Sequence, residues 1–172
     1  DKEQTVELRI EEVDGDLIRS YSTKAKEKKN KLKVDGRFVW DMRYEGFKEF
    51  PGMVLYSSPN RGPKAVPGKY LAKLIVDGKE VVQEFEISKD PRLTNSEKDF
   101  QDQFDYLIAV RDKVSEAHQA IIDIRSIKKD VKYFTDKLEG KDKYAELLEK
   151  AADLVEELEV IENNIHMTKN QA

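Results

Sequence analysis

The residues whose chemistry could support a reaction are few and far apart. His118 and His166 are the only two histidines in 172 residues. Neither has a ligand-spaced Asp, Glu or second His forming a recognisable site, and a metal centre needs three or four converging ligands. Both are therefore expected on helix surfaces. There is no cysteine, which excludes disulfides, cysteine-ligated zinc, iron–sulfur clusters and thiol nucleophiles. Ser57-Ser58 and Ser20-Tyr21-Ser22 have neither a nucleophile elbow nor a nearby histidine partner, so acyl transfer lacks a nucleophile. Asp14-Gly15-Asp16 and Asp41 offer oxygens for calcium, but the spaced acids and closing Glu of an EF-hand loop are missing, and these residues read as turns. Glycoside hydrolysis needs two carboxylates about 5–10 Å apart. With 35 acids in the chain, no pair is singled out by its context. No catalytic, cofactor-binding or metal-binding residue is assigned.

Two local features remain. Lys24 through Lys33 holds six lysines in ten residues. It lacks arginine and interleaved aromatics, so a solvated loop is preferred to an anionic-polymer patch. The net charge of −4 also argues against nucleic acid as a partner, because phosphate binding calls for surplus positive charge. Trp40, Tyr44, Phe47, Phe50 and Tyr56 fall within 17 residues. Sugars stack on exposed aromatic faces, which makes Phe47, Phe50 and Tyr56 the candidate carbohydrate-binding residues, with polysaccharide as the corresponding partner. The competing expectation is that these rings are buried, since aromatics carry large apolar area.

The elements that must position these residues change character near residue 92. All five prolines and seven of the eight glycines precede that point, and only Gly140 follows it. Residues 1–92 carry 19 basic and 17 acidic side chains, net +2; residues 93–172 carry 12 and 18, net −6. Two modules in series are expected, 1–92 and 93–172, joined stiffly at Asp90-Pro91-Arg92 because proline fixes its own φ and extends the residue before it.

In the first module Val6, Leu8 and Ile10 alternate with charged residues and lead through Asp14-Gly15 to Leu17–Tyr21, which is a hairpin pattern. A second hairpin runs from Tyr70–Val76 through Asp77-Gly78 to Lys79–Ser88. Between them, Arg37–Tyr44 places Phe38, Trp40, Met42 and Tyr44 on one face and reads as a central strand. Five or six strands in about 90 residues suggest an immunoglobulin-like or fibronectin type III-like β-sandwich.

In the second module Thr94 and Glu97 have capping-box spacing, and Asp99 adds an acid near the positive end of the helix dipole. Apolar residues from Phe104 to Leu138 then step by three or four, with a phase slip near Ile124–Ile127, until Gly140. The rhythm restarts at Tyr144 and runs to Ile165. Together the fold class is α+β, a β-sandwich followed by a long antiparallel α-helical hairpin. Helices of roughly 44 and 25 residues would measure about 66 and 38 Å. Part of the longer apolar stripe would then lack a partner, so self-association through the helices is expected. No apolar run approaches the length of a membrane span. The chain starts without Met and almost inside a strand pattern, and it reads as a piece of a longer protein.

The series Gly36–Tyr44, Gly62-Pro63, Pro67–Tyr70, Asp77-Gly78 and Asp90–Arg92 resembles the C-terminal module of bacterial sortilin-like, BNR-repeat proteins often labelled glycosyl hydrolases. Asp99, Gln103 and Ile124-Arg125 also fit that family's pattern. The resemblance implies a large β-propeller preceding an Ig-like domain that is similar to those of flagellar hook-assembly proteins, with further helix following. It implies a secreted or periplasmic parent whose propeller is this module's partner. Any sugar-cleaving or ligand-binding site would belong to the propeller, so no catalytic residue carries over. The expected role is that of a non-catalytic accessory module serving domain packing or association, and the alternative is a carbohydrate-binding module.

Overall fold

Residues 4–33, 37–55 and 60–166 are described by a computed structural model. Their architecture is α+β: one four-stranded antiparallel sheet and two long helices. Strand β1 (Val6–Glu12) pairs with β2 (Leu17–Ser22), and β3 (Gly68–Val76) with β4 (Lys79–Ile87); β1 also pairs with β3, giving the order β2-β1-β3-β4. Both Asp-Gly pairs make the expected turns. Asp77 and Gly78 both take positive φ (49° and 84°), as a two-residue turn matching the sheet twist requires. An extra residue in β2 opposite Ile10/Glu11 forms a bulge that lets Ile18 and Tyr21, three apart, both turn inward.

Arg37–Tyr44 is not the expected central strand. Asp41 Oδ1 accepts the Arg43 N–H at 3.2 Å, and Met42 adopts a left-handed φ of 56°. This local bond offers the backbone an alternative to a ladder. The segment instead bonds to another coil: Tyr44 N donates to Pro63 O at 2.9 Å and Ala65 N to Met42 O at 2.8 Å. Gly62 is required at that approach, because a Cβ there would lie 2.3 Å from the carbonyl oxygens of Tyr44 and Glu45. The strands number four among the described residues, not five or six, and they form a single sheet.

The aromatics nevertheless reach the core from this coil. Val6, Ile10, Ile18, Tyr21, Leu32, Tyr44 and Tyr70 form the buried cluster, and Trp40 and Phe85 pack against it. Ile10 and Tyr70 are each 4% exposed, so each contributes on the order of 2 kcal/mol of apolar burial. The Trp40 indole meets Phe85 edge-on at 6.2 Å and donates to Arg43 O at 3.1 Å. Glu11, buried on β1, is paired with Lys73 Nζ of β3 at 3.0 Å. The lysine-rich segment is a solvent-exposed loop, with Leu32 buried beneath it.

Helix α1 runs Glu97–Leu138 and α2 runs Ala145–Ile165. The start of α1 is capped two residues later than the Thr94/Glu97 spacing suggests. Ser96 Oγ accepts the Asp99 N–H at 3.2 Å, while Asp99 Oδ2 accepts from the Ser96 N–H at 2.7 Å. These bonds satisfy donors the helix leaves open and hold the Asp99 carboxyl below its usual range. Gly140, at φ 75°, ends α1 as expected.

Compactness divides the chain differently from composition. One unit comprises residues 1–46 and 60–111, and the other residues 47–59 and 112–172. The break in composition at residue 92 is therefore not the break in packing: the first turns of α1 belong with the sheet, and the loop after residue 46 belongs with the helices.

Candidate functional site

The first aromatic pair of the candidate sugar platform lies in the second unit, folded onto α1. The Lys48 N–H donates to Ser115 Oγ at 3.0 Å, and His118 Nδ1 donates to Lys48 O. With the chain pinned there, Phe47 meets the His118 ring edge-on at 5.3 Å. Phe50 meets both histidine rings edge-on, each at 4.9 Å. The Arg125 guanidinium sits 5.0 Å from the Phe50 centroid and donates to Pro51 O at 2.7 Å.

Phe50 is consequently 4% exposed and Phe47 is half-buried. A ring enclosed by two imidazoles and a guanidinium has no face to offer a sugar. Tyr56 lies outside the described residues. The histidines, expected apart on helix surfaces, both pack on one phenylalanine. Sequence spacing gave no sign of this, because the meeting depends on a loop returning to α1 from about 70 positions earlier.

Beside this cluster lies an ion network. Arg125 Nε reaches Glu162 Oε1 at 2.7 Å, and Lys128 Nζ reaches Glu159 at 3.0 Å and Glu162 at 3.4 Å. Glu162 is buried. Burial alone would raise its carboxyl pKa, but the hydrogen bond and charge of Arg125, with Lys128 behind it, outweigh burial and hold it below its usual range. Next to the network, Val131, Leu148, Ala151 and Val155 line a shallow apolar cavity of about 720 Å³.

The remaining candidates resolve into local structure. Asp14 Oδ1 accepts the Asp16 N–H at 3.2 Å, and Asp41 caps its own turn. Ser20 Oγ donates to Glu7 at 2.9 Å, while Ser57-Ser58 lies outside the described residues. Among the described residues no group of three or more His, Cys, Asp or Glu side chains is placed to hold a metal ion. Among them, too, no helix is long and apolar enough to cross a membrane. The arrangement can bind elements together through packing and charge. Compared with family models, curated proteins and solved structures, the chain matches none.

Proposed function

We propose that this chain is a non-catalytic accessory module of a larger secreted β-propeller protein, an Ig-like sandwich followed by an antiparallel helical hairpin, and that the hairpin is its association surface. In the sandwich reading, the coil of residues 37–46 and 60–67 supplies the layer opposite the sheet. The sequence motifs support the propeller context, and the buried Phe50 supports a packing role for the loop aromatics over a sugar platform.

One observation carries the association reading. Ile127 and Phe134 on α1, and Leu147, Leu154 and Ile161 on α2, are each between 42% and 62% exposed. Within each helix they recur every seven residues. Each also precedes by one position a residue of the α1–α2 seam, such as Lys128 or Glu162, and so is turned about 100° from it. In helices running oppositely that rotation brings both rows to the same side. The result is a continuous apolar face with the seven-residue spacing of helix packing, and soluble monomers rarely leave such a face bare.

The test is sedimentation velocity across a concentration series. A second copy covering the face gives a concentration-dependent dimer, and Leu154→Glu with Phe134→Glu returns it to monomer. A wild-type chain that stays monomeric at every concentration overturns self-association.

A further inference from the structure

A second cavity, of about 570 Å³, lies wholly within the first unit. Its size falls in the range of small-ligand sites, roughly 300–1,000 Å³. The end of β4, the coil at residues 64–67 and the first turns of α1 enclose it, and its floor is apolar: Val66, Ile87, Phe100 and Phe104. Phe104 is fixed from behind by the Tyr44 ring, 4.7 Å away.

Three of the four charged residues on the rim are cations. Arg43, Lys64 and Lys89 border the cavity, and among the described residues none of the three is ion-paired. Arg43 donates to Gly62 O at 2.9 Å and Lys89 to Asn95 O at 2.7 Å, bonds that orient the cations without neutralising them. The single acid on the rim, Asp90, is committed to the Arg92 guanidinium at 2.6–3.2 Å. Met42 at the lip holds the strained left-handed conformation, of a kind that tends to collect at ligand sites.

We infer that this cavity binds a small amphipathic anion, with an aliphatic tail on the Val66–Phe104 floor and an anionic head among Arg43, Lys64 and Lys89. The floor removes apolar surface from water, and the rim favours negative charge over neutral or positive heads. The same cations serve a carboxylate or a phosphate head, so the shared chemistry is the anionic head on an apolar tail.

Calorimetric titration of the full chain, with amide chemical-shift mapping, tests it. The probes are dodecanoate, dodecyl phosphate, dodecyltrimethylammonium and acetate. The two anionic amphiphiles bind with shifts centred on residues 64–67, 87–93 and 100–107, and their relative affinities identify the preferred head. Acetate, without a tail, and dodecyltrimethylammonium, with the wrong charge, bind at least tenfold more weakly. Lys64→Glu and Lys89→Glu, both at exposed positions, each weaken dodecanoate severalfold, and raised salt does the same. Equal binding of the cationic amphiphile, or shifts centred on residues 127–161, overturns the assignment.

Discussion

Arg125 on α1 and Glu162 on α2 meet at 2.7 Å although 37 positions separate them in the chain. Glu162 is the only buried charged residue in the described part of either helix. Arg125 also holds the Pro51 carbonyl and covers the Phe50 ring, so one guanidinium ties together three segments of the second unit.

Removing the acid should therefore loosen more than one contact. Glu162→Ala is expected to destabilise the second unit by about 1–3 kcal/mol, below the full cost of breaking a buried pair because Arg125 remains one-third exposed. Urea unfolding monitored by helical circular dichroism measures it. An unchanged midpoint would show that the pair contributes nothing net.

The same residue sets an acid limb. Because the folded carboxyl lies below its ordinary value of 4.5, the pair's stabilisation is fully present above that pH. It is lost as the pH falls through the depressed folded value. Glu162→Gln should flatten the loss of stability below about pH 4.5 relative to wild type. Parallel acid limbs in the two proteins would count against the linkage.

Tyrosines set the alkaline limb. Burial raises the Tyr44 hydroxyl above its ordinary 10.0, and the bond it donates to Glu12 at 2.5 Å raises it further; burial likewise raises Tyr21 and Tyr70. Groups raised in the folded state stabilise fully below their unfolded pKa, so stability should hold to about pH 10 and fall beyond it. Tyr44→Phe is expected to cost about 1 kcal/mol at neutral pH and to reduce the alkaline loss, read by absorbance at high pH against chemical unfolding.

Two glycines separate steric need from conformational freedom. Gly62→Ala should cost about 2–3 kcal/mol, because its Cβ would overlap two backbone carbonyls that cannot yield cheaply. Gly15→Ala, at φ 99° with open space around it, should cost only about 1 kcal/mol. Thermal melts of the two variants compare them directly, and equal costs would remove the close approach as the cause.

At the start of α1, Ser96→Ala should lower stability by about 1 kcal/mol, whereas Thr94→Ala should change little. Helix content and melting of the pair of variants discriminate the two capping positions. A larger loss at Thr94 would reverse the assignment.

The hairpins at Asp14-Gly15 and Asp77-Gly78, the two long helices and the stop at Gly140 follow from the sequence alone, because each depends on residues within a few positions of one another. Turn chemistry and apolar periodicity act locally, and the chain declares them. Arg37–Tyr44 carries an alternating pattern just as clear, yet it is coil. The pattern reported that four bulky residues need burial, while the Asp41 turn and the Gly62 contact decided that they are buried from a loop.

The meeting of His118, His166, Phe50 and Arg125 was decided by tertiary structure only. No periodicity within a helix records which distant loop will return to cover it. The charged rim at Arg43, Lys64 and Lys89 has the same origin, since these cations come from a coil, a second coil and a strand end. The sequence by itself determined the elements whose signals lie within a few positions, the two hairpins and the two helices with their stop. Which side chains face one another was settled by long-range packing, where burying apolar area and pairing the charges left beside it must be satisfied at once.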